Sequence, residues 1–467
     1  MPTHYRSLYV ILTTFLLGAC SGDFDREAYE QAVATDALES AIEAASGGVG
    51  MESFMFPESD DLAAIPADPS NPLTAEKVAL GQLLYHDTAL AMNPNDPARS
   101  GTYSCASCHH ADAGFKAGLP QGIAEGGIGF GLVGEGRVLD DGMDAAAAAD
   151  SPLRPDIQPL TSPATLNVAY QEVMLWNGQF GNAVNGIVNA GVDSTALMTA
   201  GTPKAENVRQ LAGIETQAVA GLGVHRLKVE TDSPLQTNTE YQALFAAAFP
   251  NSTDTLEDAG KAIAAYERTL LATEAPFQRW LKGDDEAMST QELRGAELFF
   301  GKANCVACHN GPALSSRVGA TESEMFFAIG FADFDTADPR VHGRVDDATS
   351  KGRGGLTGLE SDHYKFKVPQ LYNLTDTAVF GHGASFTSVR DVVAYKNAGV
   401  PQKPLTEAYL DPLFTPLGLT ESEIDDLTAF LELSLYDPGL DRYVPDAVPS
   451  GNCFPVNDDA AAADLGC

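Results

Sequence analysis

The sequence predicts a mainly α-helical fold made of two similar domains with long loops. Its 467 residues exceed what one hydrophobic core usually supports, so at least two domains are expected. Strand patterns are few along the whole chain. A capped helical pattern, a loop and a Cys-x-x-Cys-His motif follow one another twice, which indicates duplication of a small helical domain.

The two Cys-x-x-Cys-His motifs are typical of covalent haem attachment. They are formed by Cys105, Cys108 and His109, and by Cys305, Cys308 and His309. In such a motif the thiols bond to the two vinyl groups of one porphyrin and the histidine binds the iron. A redox pair needs no following histidine, and a zinc site needs a second ligand pair close by. The sequence therefore predicts two covalently bound haem c groups in two cytochrome c-like haem domains.

The N-terminus has the pattern of an export signal. Basic residues precede an apolar run that is too short to span a bilayer. The run ends in Leu17-Gly-Ala-Cys20, which resembles a bacterial lipobox, so residues 1–19 are interpreted as a lipoprotein signal peptide. An ordinary signal peptide with an incidental cysteine is the alternative. Ser21 follows, which by resemblance to other lipoproteins favours the outer membrane. We expect a protein on the periplasmic side of the cell envelope that touches the membrane only through lipid at Cys20.

The chain is strongly acidic, with 64 Asp and Glu against 28 Lys and Arg and a net charge of −36. Binding to the phosphates of nucleic acid needs a basic patch, so nucleic acid is excluded as a partner. The acidic residues are spread over the whole chain, which favours an interpretation as solubility. Steering of a basic redox partner is the alternative.

Two of the seven cysteines have no role in lipid or haem attachment. One cysteine matches the lipid site and four belong to the haem motifs, which leaves Cys453 and Cys467 near the C-terminus. The oxidising compartment outside the inner membrane allows this pair to form a disulfide. Two unpaired thiols on a flexible tail are the alternative.

Helical patterns and linkers divide the chain into segments. Thr74 is expected to cap a helix before the first motif, and a capped helix beginning at Thr290 precedes the second. Residues 118–150 are rich in Gly, which predicts long loops near the haem rather than core. Residues 239–285 carry apolar stripes at helical spacing. The predicted segments are the signal peptide 1–19, an acidic N-terminal spacer 20–60, an N-terminal domain 61–285, a C-terminal domain 286–445 and a C-terminal tail 446–467.

Several stretches outside the haem motifs resemble one family. They are Asn71-Pro-Leu-Thr-Ala-Glu-Lys-Val-Ala-Leu-Gly, Ser162-Pro-Ala-Thr-Leu-Asn-Val-Ala-Tyr, Leu175-Trp-Asn-Gly, Gln217-Ala, Phe366-Lys-Val-Pro-Gln-Leu-Tyr-Asn-Leu and His382-Gly. With the motifs, they resemble the bacterial diheme cytochrome c peroxidase family, which includes the MauG-type enzymes, over about residues 71–443. The resemblance implies that the haem on His109 reacts with peroxide and that the haem on His309 relays electrons.

The resemblance also implies an open sixth position at the first haem and a distal Gln–Glu pair. In many members a His after the motif blocks that position until the other haem is reduced. No His lies between His110 and His225, so we expect the first haem to be open without reductive activation. Gln217 matches the Gln, but no Glu or Asp stands at the expected place. We expect His225 to act as the acid/base, helped electrostatically by Arg226. A propionate-binding or core role is the alternative for His225.

The relay side of the resemblance concerns an aromatic residue and a sixth ligand. Trp176 matches a tryptophan that the family places between the haems, and a core side chain is the alternative. The family's sixth ligand, Met or Tyr, falls fourteen residues after the position of His382, where this chain has Lys396. Tyr395 and then Met325 are the alternative ligands. Lys396 could equally be an exposed helix lysine.

A calcium ion lies between the domains in this family, bound partly by backbone carbonyls. Thr377 matches one of these positions, whereas Val379 and Thr161 depart from the others. Carbonyl ligation tolerates changes of side chain, so the resemblance implies a calcium site that includes Thr377.

Together these inferences predict an oxidoreductase of the cytochrome-c peroxidase type. It would reduce hydrogen peroxide to water with electrons from a small periplasmic cytochrome c or cupredoxin. One alternative is a MauG-type enzyme that oxidises Trp or Tyr side chains of a partner protein, and another is a non-catalytic electron-transfer cytochrome. The missing distal Glu and the missing Met ligand favour the MauG-type enzyme. The matches at Gln217 and Trp176 count against a non-catalytic cytochrome. A homodimer is compatible with the sequence.

Overall fold

The computed structural model describes residues 25–181, 189, 191–343 and 345–467. The interpreted signal peptide and Cys20 lie outside these residues. Helices dominate the described part of the chain, so the predicted mainly α-helical class is confirmed. None of the helices within it is both long enough and apolar enough to cross a membrane.

The elements are numbered in chain order. The helices are α1 (Arg26–Ala45), α2 (Ala75–His86), α3 (Ser194–Leu197), α4 (Gly213–Val224), α5 (Pro234–Thr237), α6 (Thr239–Ala248), α7 (Thr255–Thr269), α8 (Pro276–Leu281), α9 (Thr290–Phe300), α10 (Glu322–Met325), α11 (Asp347–Ser350), α12 (Arg353–Thr357), α13 (Val389–Ala398), α14 (Glu421–Ala429) and α15 (Asp459–Leu465). The strand pairs are antiparallel: β1 (Gly127–Ile128) with β2 (Val138–Leu139), and β3 (Phe326–Phe327) with β4 (Phe366–Lys367).

Helices α2, α4 and α7 form the centre of the N-terminal half. Thr74 caps α2 with its side chain, as predicted. A side chain at Gly81 would place its Cβ 1.9 Å from the carbonyl oxygen of Ala262, so glycine lets α2 cross directly over α7. Gly260 lets α7 approach α4 equally closely, because a Cβ there would lie 2.4 Å from the Val219 side chain of α4. These close crossings fix the position of α4, the helix that carries Gln217.

The C-terminal half is built in a similar way around α9, α13 and α14. Ser289 and Glu292 form a capping box at the start of α9, so the predicted capped helix is confirmed. Gly295 lets α9 approach α14, since a Cβ there would lie 2.0 Å from the carbonyl oxygen of Asp426. Helix α9 leads into the second motif, as α2 leads into the first. Ser388 caps α13, the helix that carries Lys396.

The two halves repeat a local backbone geometry. Asn167 and Asn373 both adopt left-handed φ angles, 61° and 53°, at the start of a 3-10 turn. Each turn is followed by an isolated antiparallel bridge, between Met174 and Phe180 in one half and between Phe380 and Phe386 in the other. Both Cys-x-x-Cys-His motifs also begin on a 3-10 turn. This recurrence supports the predicted duplication.

Residues 26–45 of the predicted spacer belong to the folded body. They form α1, which packs against α9. Leu38 and Ile42 are fully buried in the main core. Gln31 Nε2 donates to the carbonyl oxygen of Met288 at 2.8 Å. Helix α1 of the predicted spacer is therefore part of the folded body, because its apolar stripe is used for packing.

The Gly-rich segment 118–150 is irregular, as predicted, but its first part is buried. Arg137, which is almost fully buried, donates from its guanidinium to the carbonyl oxygens of Ile123, Ala124 and Gly129. One buried cation thus satisfies several carbonyls that a loop would otherwise leave unpaired. The high glycine content of this segment therefore did not mean exposure.

The C-terminal tail folds back onto the first haem motif. Cys453 and Cys467 form the predicted disulfide, so the alternative of unpaired thiols on a flexible tail is wrong. Val456 forms a bridge with Tyr103. The hydroxyls of Ser104 and Ser107 both donate to the carbonyl oxygen of Pro455 at 2.9 Å.

We expect Ile42→Ala to destabilise the haem-loaded protein by about 2–4 kcal/mol, because it leaves a cavity between α1 and the core. Val33→Ala on the same helix is the matched control, since Val33 is 49% exposed and its truncation should cost less than about 0.5 kcal/mol. Urea denaturation followed by circular dichroism measures both. Equal, small effects of the two substitutions would mean that α1 is a free spacer after all.

Candidate haem sites

Each attachment histidine is oriented by one backbone hydrogen bond. His109 Nδ1 lies 3.3 Å from the carbonyl oxygen of Phe115, and His309 Nδ1 lies 2.8 Å from that of Leu314. With Nδ1–H donating, Nε2 of each ring is left to bind a metal. Burial lowers the pKa of both histidines to about 4, so both rings are in the neutral, ligating form.

The four motif thiols are free and do not have the character of redox cysteines. Burial raises the pKa of Cys105, Cys108 and Cys305 to about 12 and that of Cys308 to about 11. Reactive redox thiols have lowered pKa values instead. Thiols that stay protonated next to a metal-ready histidine fit thioether formation with a haem.

A cavity of about 470 Å³ opens at the second motif. It is lined largely by apolar side chains and ends on Cys305, Cys308 and the ring of His309. This donor set and this environment fit a covalently attached haem. Residues of the N-terminal half, among them Lys116 and Trp176, line the same cavity, so the second site lies at the boundary between the halves.

Trp176 contacts both halves of the chain. Its Nε1 donates to the carbonyl oxygen of Thr161 at 2.7 Å. Its ring lies 6.5 Å from that of Phe366 and 6.2 Å from that of His382, centroid to centroid. Its backbone carbonyl accepts from the amide of Lys367. This position suits the predicted role of an aromatic residue between two haems, which stays a prediction.

The predicted distal residues of the first site lie close together at the C-terminal end of α4, Gln217 within the helix and His225 as the residue that follows its last turn. Gln217 and His225 are separated by two helical turns, with Gly221 between them. A Cβ on Gly221 would lie 3.7 Å from Gln217 Nε2 and 3.9 Å from His225 Cδ2. Gln217 Oε1 is buried without a hydrogen-bond partner among the described residues, as expected for a group that awaits a ligand. His225 also lowers the pKa of His109, so the two rings are electrostatic neighbours.

A carboxylate that the sequence did not reveal holds His225. Asp156 Oδ2 lies 2.7 Å from His225 Nδ1, and the Asp156 side chain is largely buried. Burial alone would lower the pKa of His225, but the charge of Asp156 outweighs this effect and raises it above the ordinary value. Asp156 stands in an irregular segment far from α4 in the sequence. No motif or spacing could have identified it.

Arg226 forms an ion pair with a buried carboxylate. Its guanidinium donates to Glu125 Oε2 at 2.5 Å, and the Glu125 side chain is fully buried. Arg226 is thereby held as the partner of a buried carboxylate. This ion pair anchors the loop bearing Glu125, while the charge of Arg226 still acts on His225 by opposing the rise of its pKa, so electrostatic assistance of His225 stays a prediction.

The structure separates the three candidate ligands of the second haem. Lys396 lines the same cavity as His309, and burial lowers the pKa of its amine. The hydroxyl of Tyr395 instead donates to the carbonyl oxygen of Ile329 at 2.5 Å. Met325 packs in a small separate core with Val173, Ala320 and Phe326. Lys396 is therefore not an exposed helix lysine, and it remains the predicted sixth ligand.

The residues at the implied calcium site do not fit a calcium ion. The carbonyl oxygen of Thr161 accepts from Trp176 Nε1, whereas the hydrogen bond from Thr377 to the carbonyl oxygen of Asn373 uses the Thr377 hydroxyl and not its carbonyl. The carbonyl oxygen of Val379 lies 3.4 Å from the ammonium of Lys116. In the part of the chain that the structure describes, no group of three or more His, Cys, Asp or Glu side chains could hold a metal ion.

Comparison with known proteins agrees with this geometry. The family model for di-haem cytochrome c peroxidase matches residues 75–286. Cytochrome-c peroxidase IdrP1 of Denitromonas iodatirespirans is 31% identical over 427 residues, which are 87% of this chain and 93% of the relative. Methylamine utilization protein MauG of Methylorubrum extorquens is 28% identical and covers 82% of this chain, with 84% of its own length matched.

A solved structure shares the fold. A MauG-like protein associated with microbial copper homeostasis aligns with a TM-score of 0.52 and 22% identity, over 82% of this chain and 94% of the other. The fold and the paired attachment motifs define a class, that of diheme c-type oxidoreductases. Within that class, the chain belongs to the di-haem cytochrome c peroxidase family. Membership implies two haem c cofactors.

We expect Lys396→Met to keep the second haem low-spin and to raise its reduction potential, because a thioether replaces an amine ligand. Tyr395→Phe should change neither property, since its hydroxyl is held by Ile329. Electron paramagnetic resonance and a spectroelectrochemical titration measure spin state and potential. If Lys396→Met keeps the parent spectrum and Tyr395→Phe makes the haem high-spin, Tyr395 is the ligand.

Proposed function

We propose that the protein reduces hydrogen peroxide to water with electrons from a small periplasmic cytochrome c or cupredoxin. The observation that carries this proposal is the pairing of His225 with Asp156 at the end of α4, beside Gln217. A haem with an adjacent acid/base and an unpartnered amide is suited to cleaving an O–O bond. A haem that only transfers electrons needs neither group.

The protein's part in the reaction is proton transfer and orientation. His225 Nδ1–H donates to Asp156, which fixes the tautomer and leaves Nε2 to accept a proton. Nε2 takes a proton from peroxide and returns it to the leaving oxygen, so that peroxide, two electrons and two protons give two waters. The free Oε1 of Gln217 accepts a hydrogen bond from the peroxide and orients it. When bound, the haem on His109 would supply the iron at which peroxide is reduced, with the electrons of the donor passing to the peroxide oxygens.

The MauG-type activity is the second candidate, and one observation favours it. The position of the family's Met ligand is occupied by Lys396, and an amine ligand holds the potential of the second haem low. A second haem of low reduction potential accepts electrons poorly from a cytochrome donor, so it is less suited to relay them to the first haem. Trp176, in contact with both halves, would carry those equivalents toward a protein substrate.

Stopped-flow spectroscopy of the ferric, haem-loaded protein distinguishes these functions. Mixing with peroxide and a reduced basic cytochrome c should oxidise two cytochromes for each peroxide consumed. A long-lived oxidised state that does not oxidise the cytochrome, but cross-links or oxidises Tyr or Trp in added protein, supports the MauG-type activity. Failure to consume peroxide contradicts both. Electron paramagnetic resonance of the same sample should show one high-spin haem, and only low-spin iron would contradict an open sixth position at the first haem.

Substitution of the distal pair tests the proton transfer in the same experiment. His225→Gln should slow the peroxide reaction by about 10²–10⁴-fold, the usual contribution of a general acid/base. In the parent, the rate should fall as the pH drops through the pKa of His225, because protonated Nε2 cannot accept a proton. Asp156→Asn lowers that pKa, so the fall should move to lower pH. His363→Gln, a partly buried histidine of the C-terminal half that does not line the haem cavity, is the control and should leave rate and pH profile unchanged. An unaltered profile in Asp156→Asn would contradict the assigned role of His225.

We also propose that the protein is exported and anchored by lipid at Cys20. The lipobox-like sequence and the Cys453–Cys467 disulfide, which needs an oxidising compartment, support this location. Cys20→Ser should move the protein from the membrane fraction to the soluble periplasmic fraction, as measured by fractionation and immunoblotting. An unchanged distribution would contradict the anchor.

A further inference from the structure

A lysine of the N-terminal half reaches across to the C-terminal half. Lys116 stands just beyond the first haem motif, and its backbone carbonyl accepts from His110 Nδ1 at 3.0 Å. Its ammonium donates to the carbonyl oxygen of Val379 at 3.4 Å. The backbone of Lys116 therefore belongs to the loop that orients His109 through Phe115, while its charge lies at the other half.

The surroundings of the Lys116 ammonium are those of a cation site. Lys116 is half-buried, and it lines the cavity shared with Thr377, Trp176 and His309. No carboxylate within the described ranges forms an ion pair with it, and burial lowers the pKa of its amine to about 8. A buried charge without a carboxylate is costly unless polar oxygen atoms surround it. The carbonyl of Val379 supplies one such oxygen.

We infer that the Lys116 ammonium is itself the cation between the two haem-bearing halves, and that this protein binds no calcium there. Calcium needs six to eight oxygen ligands at short distance and is repelled by an ammonium on one of them. Of the three carbonyl positions that the family resemblance implied, two already accept hydrogen bonds, since Thr161 accepts from Trp176 and Val379 accepts from Lys116. A single charge with three N–H donors, covalently tethered to the first haem loop, takes the place of an exchangeable ion.

A cation that is part of the chain cannot dissociate. An exchangeable ion can leave, and the contact between the halves then loosens, whereas the Lys116 ammonium cannot be removed by a chelator. The contact between the first haem loop and residues 377–379 should therefore be independent of the calcium concentration. The inference does not depend on the proposed peroxide reaction, because its tests measure metal content, stability and spin state.

The test uses the protein with both haems attached. Metal analysis by inductively coupled plasma mass spectrometry after dialysis with calcium should find no stoichiometric calcium. EGTA and added calcium should leave both the thermal midpoint and the electron paramagnetic resonance spectrum unchanged. One calcium per chain, or a midpoint that falls on adding EGTA, would overturn the inference.

The matched variants ask whether the charge of Lys116 stabilises the contact. Lys116→Met keeps the length of the side chain and removes its charge, and Lys116→Gln keeps one donor. Both should lower the thermal midpoint by about 3 °C or more, and the spectrum of the first haem should change because the loop also bears Phe115. Lys204→Met, a substitution of a half-buried lysine elsewhere in the N-terminal half, is the control and should do neither. If Lys116→Met and Lys116→Gln behave like the control, the ammonium is not the cation that joins the halves.

Discussion

A backbone carbonyl holds each attachment histidine by its Nδ1–H, and both haem sites are arranged around that hydrogen bond. The acceptors, Phe115 and Leu314, both adopt left-handed φ angles, 57° and 46°, which bulky residues rarely do. Such a conformation costs about 1–3 kcal/mol and persists only where the surroundings impose it. Both residues are fully buried, so packing supplies what the backbone conformation costs. Because the same left-handed backbone carbonyl orients the histidine in both halves, Nε2 of each ring is held in position to face the metal.

The two sites differ in what faces the oriented histidine. In the first site a helix presents an amide and an imidazole, and the imidazole is held by a charged hydrogen bond to Asp156. In the second, Lys396 shares the cavity with His309 and Phe414 lies under its amine at 5.0 Å. One local frame therefore supports two environments, one polar and suited to proton transfer, the other apolar and suited to a permanent ligand. That asymmetry is what a two-electron reaction served by a one-electron donor requires.

Local patterns were predictable from the sequence, whereas contacts between distant segments were not. The haem motifs, the caps at Thr74 and Ser289 and the disulfide follow from spacing or from the number of cysteines. The pairing of His225 with Asp156 joins residues 69 positions apart, and that of Lys116 with Val379 joins residues 263 positions apart. No periodicity encodes such pairs. The packing of helix α1 was not predicted for another reason. Most of its residues are acidic or Ala, and the narrow apolar stripe that packs against the core includes only a few large side chains, Leu38 and Ile42.

The C-terminal tail packs against the first haem motif, and this contact bears on the order in which an exported chain would attach haem and fold. Pro455 accepts hydrogen bonds from both serines of the first attachment turn, across 351 residues in the case of Ser104. In a chain that crosses a membrane from its N-terminus, this turn is already outside when the tail has yet to emerge. Under the proposed export, the turn would stay accessible for haem attachment until the Cys453–Cys467 loop closes against Tyr103 and Ser104. The contact between the tail and the first haem motif would then form only after the residues between them have crossed the membrane.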